Sequence, residues 1–83
     1  MSKSIAILGA GVSGLGAAVL ARKKGFNVFV SEIGQINNDS KNILIQNNIT
    51  WEEGRHTEEK FFKADEIIKS PGIDEKSNFI KRL

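Results

Sequence analysis

A chain of 83 residues is one small domain or a piece of one, and 40% hydrophobic with 27% charged residues is the balance of a folded globular protein, not a disordered one. A net charge of +2, with no basic cluster interleaved with aromatics, leaves no footprint for nucleic acid. The absence of cysteine excludes a disulfide scaffold, thiolate metal sites and a cysteine nucleophile, and the single histidine, His56, excludes a multi-histidine metal centre.

The chain opens with Lys3 and a mostly apolar run over 4–21, the outline of a signal peptide or membrane span. Gly9, Gly11, Gly14 and Gly16 weaken a continuous helix there, and the run is barely long enough to cross a bilayer. A strand, a turn and a helix explain it better, so no membrane partner is expected. The apolar run 5–8 ends at glycine and reads as a strand buried on both faces. Residues 9–13 form the turn, and 13–24 a helix. In that helix Leu15, Ala18, Val19 and Arg22 share one stripe, and Ala17, Leu20 and Ala21 the next. Lys23 and Lys24 suit the negative end of its dipole, and Gly25 is a natural residue to follow its C-cap. Residues 28–30 make a second buried strand, which completes a right-handed strand–helix–strand crossover.

The alternation continues. Capping residues at 37–40 precede a short helix over 41–47 that packs Ile43 and Leu44, and 49–51 reads as a third strand. Thr57 can cap a helix carrying Glu58 and Glu59 in its first turn and Phe61 and Phe62 as apolar contacts. Residues 65–69 form a fourth strand, 70–72 a Ser-Pro-Gly turn, and 78–83 the start of another helix. The expected fold is α/β: a Rossmann-like open parallel sheet of order 3-2-1-4 with flanking helices, cut short within a single domain spanning 1–83.

Gly9, Gly11 and Gly14 have the G-x-G-x-x-G spacing between a strand and a helix. Gly9 gives a tight exit from the strand, Gly11 admits phosphates to the backbone, and Gly14 lets the helix lie close on the sheet. The amides of Val12, Ser13 and Gly14 then face outward where the dipole favours an anion, with the Ser13 hydroxyl as a further donor. Glu32 ends the second strand, where dinucleotide folds place an acid for a ribose diol. A ribose hydroxyl or a pyrimidine N–H would satisfy it equally. Ser70, Pro71 and Gly72 follow the fourth strand and face the loop across the switch in strand order. His56 lacks a serine, cysteine or histidine partner and reads as structural, and Trp51 reads as packing. Glu52, Glu53, Glu58, Glu59, Asp65 and Glu66 read as exposed acids. No nucleophile–base arrangement is visible, and the lysine-bearing G-x-x-x-x-G-K-[ST] loop of ATP hydrolysis is absent.

From Ile5 to Glu32 the sequence resembles FAD-dependent amine oxidases and desaturases as closely as any other group. An FAD- or NAD-binding segment of an oxidoreductase is therefore the alternative reading. Those flavoproteins continue into a glycine–glycine–arginine stretch, whereas here "IGQINNDSKN" follows the acid. Taken in order, "GAGVSG", Glu32, "EEGRH" and "ADEIIKSPGI" resemble the N-terminal domain of the Mur ligases, the amide ligases of cytoplasmic peptidoglycan synthesis. The resemblance implies that the chain holds the UDP part of UDP-N-acetylmuramoyl-L-alanine for ATP-dependent addition of D-glutamate. Val12 and Ser13 would meet the diphosphate, Glu32 the uracil with Ile33 beside it, and Ser70, Pro71 and Gly72 the other side. Relatives often carry Asp at position 32 with a polar residue next, where this chain has Glu32 and Ile33. In the family the reaction runs through an acyl phosphate attacked by the amine of D-glutamate. The ATP and magnesium sites belong to central and C-terminal domains of the same chain, so no cofactor and no catalytic residue is expected within these 83 residues.

Overall fold

The computed structural model describes residues 3–69. The expected turn at Ser70, Pro71 and Gly72 and the helix at 78–83 lie outside the described residues. Seven elements alternate along the chain: β1 (Ser4–Leu8), α1 (Val12–Lys23), β2 (Asn27–Glu32), α2 (Asn38–Gln46), β3 (Thr50–Glu53), α3 (Glu58–Phe62) and β4 (Glu66–Lys69). The strands form one parallel sheet of order β3-β2-β1-β4, one of the few orders that right-handed crossovers allow for this alternation. The apolar run at the start of the chain is thus divided between β1 and α1.

Side-chain alternation along the strands feeds two cores. Ile5, Ile7, Val28 and Val30 point to one face, where Ala18 and Ala21 of α1 and Leu44 of α2 meet them. Ala6 and Leu8 point to the other, under Phe61 of α3. Ile7, Leu8, Val30, Leu44 and Phe61 are fully buried, and each such side chain stabilises by about 1.5–3 kcal/mol relative to leaving it in water. The face of α1 turned to the sheet is built from the small residues Gly14, Ala18 and Ala21, so the helix lies close. Leu20, expected within the apolar stripe, is exposed, as are Ile43 of α2 and Phe62 of α3. Each of these helices buries a narrower stripe than its apolar residues suggest.

Both longer helices end in the same device. Gly25 at φ 93° follows α1, with Phe26 N–H donating to Ala21 and Gly25 N–H to Arg22. After α2, Asn48 at φ 57° takes the same role, with Ile49 N–H donating to Leu44 and Asn48 N–H to Ile45. This is the Schellman arrangement, which satisfies the last carbonyls through a left-handed residue. At the start of α2 the Asn37 side chain accepts from Ser40 N–H at 2.8 Å. Thr57 stands at the cap position of α3 but makes no side-chain cap bond. Its hydroxyl donates instead to Glu52 Oε1 at 2.6 Å.

Candidate functional site

The glycine loop sits at the carboxyl end of the central strand β1, between neighbours β2 and β4. Gly9 turns the chain with φ 100°, and its N–H donates to the Ser31 carbonyl of β2 at 2.8 Å. A Cβ on Gly14 would collide with the Gly9 carbonyl oxygen, so glycine at 14 is what lets α1 start directly over the loop. Gly11 differs. Its φ of −71° suits any residue, and a Cβ there would meet nothing within 4 Å. The first intrahelical bond is Leu15 N–H to the Gly11 carbonyl at 2.8 Å. The amides of Val12, Ser13 and Gly14 therefore precede the helical ladder and find no acceptor within it. No side chain caps this end and no acid lies in its first turn, which leaves the positive end of the dipole open to an external anion. Ser13 is exposed on the same turn, and Val12 is 94% exposed.

Glu32 reaches back to this loop. Its Oε1 accepts from Ala10 N–H at 2.8 Å and its Oε2 from Gly34 N–H at 2.8 Å. The carboxylate ties the end of β2 to the glycine loop and folds the turn that follows. With about four lone-pair sites on a carboxylate, it keeps acceptor capacity beyond these two bonds. Ile33 beside it is exposed at 58%. The structure thus brings Gly9, Gly11, Val12, Ser13, Gly14 and Glu32 together at one end of the sheet, with Ile33 next to the acid. The remaining expected site residues, Ser70, Pro71 and Gly72, lie outside the described residues.

Below that edge is a polar cluster that the sequence reading misassigned in part. Glu52, expected to be an exposed acid, is 7% exposed, and Ser31 is fully buried. The Ser31 hydroxyl lies 2.8 Å from Glu52 Oε2, 3.1 Å from the Arg55 carbonyl and 2.6 Å from His56 Nδ1. Glu52 also accepts from Thr57 N–H at 2.8 Å and from the Thr57 hydroxyl, and Arg55 Nε approaches it at 3.5 Å. Carboxylate and carbonyl can only accept, and Ser31 has one hydroxyl proton; giving it to either of them makes His56 Nδ1 the donor to the Ser31 oxygen, the tautomer that pairs the most of these groups. Burial pushes the Glu52 carboxyl up, but the Thr57 and Ser31 hydrogen bonds and the Lys60 charge outweigh it, and the net pKa is below the ordinary value. Burial holds the His56 imidazole below its ordinary pKa against the opposing charges of Glu52 and Glu32.

A serine 2.6 Å from a histidine invites comparison with a nucleophile and its base. The arrangement is wrong for that chemistry. The carboxylate grips the serine rather than the imidazole, the histidine is the donor, and the buried hydroxyl has no route to a substrate. The cluster is structural, and it joins β2, β3 and the loop before α3. Residue type hid it: a glutamate in "EEGRH" carries no local sign of burial, and its partner lies 21 positions away.

Two surface hollows are also present, one at the opposite end of the sheet and one that reaches this end at Val12. One of about 350 Å³ is lined by Ser4, Asn27 and Thr50, the first residues of three strands, with Phe29 and Lys60. The other, about 440 Å³, follows the outer side of α1 from Val12 to Lys23 and includes Ile43. Ligands of open parallel sheets gather at the carboxyl ends of the strands, opposite the first hollow. Among the described residues no group of three or more His, Asp or Glu is placed to hold a metal ion. No described helix is long and apolar enough to cross a membrane.

A doubly wound parallel sheet whose first βα turn is a glycine loop at an open helix N-terminus defines a Rossmann-like domain. Comparison with known proteins narrows the class. Residues 4–79 match the model of the MurD N-terminal domain, and the chain belongs to that family. It is 54% identical over 81 residues to the UDP-N-acetylmuramoylalanine--D-glutamate ligase of Bacteroides fragilis strain YCH46, a match covering 98% of this chain and 18% of the relative. The ligase of the same name from Christiangramia forsetii is 48% identical over 83 residues, 100% of this chain and 19% of that protein. That of Fervidobacterium nodosum is 43% identical over 68 residues, 82% and 16% respectively. The chain spans less than a fifth of the length of these curated relatives.

Proposed function

We propose that this domain anchors the UDP part of UDP-N-acetylmuramoyl-L-alanine in an ATP-dependent ligase that adds D-glutamate during cytoplasmic peptidoglycan synthesis. The observation that carries the reading is the uncapped N-terminus of α1 behind Gly9 and Gly11, in a chain of the MurD N-terminal family. The diphosphate sits against the amides of Val12, Ser13 and Gly14, where the dipole and the Ser13 hydroxyl favour negative charge. The uracil lies beyond it, within reach of Glu32 and flanked by the exposed Ile33. Glu32 accepts from a base N–H with the lone pairs left by Ala10 and Gly34. ATP and magnesium would act in other domains of such a ligase, where ATP would supply the activation of the substrate carboxyl. The part of the described residues is to bind and orient the nucleotide.

Titration with UDP and with UDP-N-acetylmuramoyl-L-alanine, followed by backbone amide shifts, tests this. Val12, Ser13 and Gly14 should respond first. Silence of these amides up to roughly millimolar ligand, an affinity of only about 4 kcal/mol, would sink the proposal. Tighter binding of FAD or NAD than of UDP would replace it with the oxidoreductase reading.

A further inference from the structure

We propose that His56, acting through Ser31, is a positioning residue that sets Glu32 and the Gly9–Ala10 edge of the glycine loop for the nucleotide; this rests on the UDP-binding reading above. The chain of contacts is short. His56 Nδ1 lies 2.6 Å from the Ser31 hydroxyl, and in the tautomer that pairs the most groups it donates there while Ser31 gives its own proton to Glu52 Oε2 at 2.8 Å or the Arg55 carbonyl at 3.1 Å. The Ser31 carbonyl holds Gly9 N–H at 2.8 Å. The next residue, Glu32, holds Ala10 N–H and Gly34 N–H through its carboxylate. Its own carbonyl accepts from Gly54 N–H at 2.8 Å, at the start of the loop that delivers His56. The carboxyl end of β2 is thus gripped from two directions. The β3–α3 loop fixes it from one side, and from the other it fixes two consecutive amides of the glycine loop.

The His56 ring is set edge-on against Phe61 with centroids 6.0 Å apart, so the imidazole is held by packing as well as by its bond. Phe61 in turn packs on Ala6 and Leu8, the strand that leads into Gly9. Removing the donor leaves the buried Ser31 oxygen without the hydrogen bond it accepts and frees the β3–α3 loop from the Ser31 side chain, which loosens the end of β2. A site that must meet a diphosphate and a base simultaneously is sensitive to such loosening, because misplacement lowers affinity without removing any ligand contact.

The test compares His56→Phe, which keeps a ring against Phe61 but has no donor, with His56→Asn, whose amide can place an N–H where Nδ1 stood. UDP affinity is measured by calorimetry, and the Gly9 and Ala10 amides are followed by NMR with and without ligand. His56→Phe should weaken UDP binding roughly tenfold and move both amide signals in the ligand-free protein, and His56→Asn should restore both. A folded His56→Phe protein with wild-type affinity and unmoved Gly9 and Ala10 signals overturns the inference. If His56→Phe does not fold by circular dichroism, His56→Asn against His56→Ala decides on the same two readouts, and equal behaviour of that pair also overturns it. Failure of the wild type to bind UDP would remove the proposed ligand. The ligand-free Gly9 and Ala10 signals would still report whether His56 sets the loop.

Discussion

Glu32 shows how a side chain expected to meet a ligand first serves the fold. From sequence it is an acceptor at the end of a strand awaiting a ligand, and in the structure both its oxygens already hold backbone amides. Its reach to Ala10, 22 positions earlier, left no trace in local periodicity, so only its place in the topology was legible. The glycines were more transparent, and they separate cleanly. Gly14→Ala drives a Cβ into the Gly9 carbonyl, and the loop must move to admit it. We expect a loss of about 1–3 kcal/mol, read from the urea midpoint. Gly11→Ala meets nothing within 4 Å at a φ open to any residue, so stability should stay within about 0.5 kcal/mol of wild type. The methyl then occupies the space expected for the phosphates, and UDP affinity should fall at least about tenfold. Unchanged affinity in a folded Gly11→Ala protein would place the diphosphate elsewhere.

Element boundaries followed from apolar runs and punctuation. The glycine after α1 was readable because it combines two lysines in the last turn with a residue free to adopt positive φ. Asn48 performs the same task after α2 and was not singled out, since asparagine is as common in turns and caps as in left-handed positions. Gly25→Ala should cost about 1–2 kcal/mol, because its Cβ meets no neighbour and the whole penalty is backbone strain at φ 93°. Asn48→Gly should fall within about 0.5 kcal/mol of wild type, since relief at φ 57° is offset by a freer unfolded chain. Thermal or urea unfolding of the two variants side by side checks the contrast, and a costly Asn48→Gly would mean that the asparagine side chain holds the helix end. Thr57 marks the limit of such local rules: the residue type is right for a cap, but a buried carboxylate takes its hydroxyl.

At the scale of the molecule, the order 3-2-1-4 was legible because alternation of strand and helix leaves few right-handed solutions. The cluster joining β2, β3 and the α3 approach was not, because it is built from contacts between residues far apart in sequence. That cluster also sets how the domain meets acid. The folded state holds His56 below its ordinary value of 6.5, through burial against the pull of Glu52 and Glu32. Below about pH 6.5 the unfolded chain therefore binds a proton that the folded chain resists, and stability falls as pH falls. Glu52 acts with the same sign lower down. Its pKa is depressed below 4.5 because the bonds from Thr57 and Ser31 and the charge of Lys60 outweigh burial. Its contribution is complete above that value and is lost as pH drops through the folded pKa. Glu53, held low by Lys41 and the Ile36 amide, adds to this second step. Urea midpoints measured from about pH 7.5 down to about pH 2.5 should therefore decline in two stages. His56→Asn, which keeps a donor but cannot titrate, should abolish the upper stage and leave the lower one. If its profile instead follows the wild type through pH 6.5, the upper stage does not arise from the imidazole.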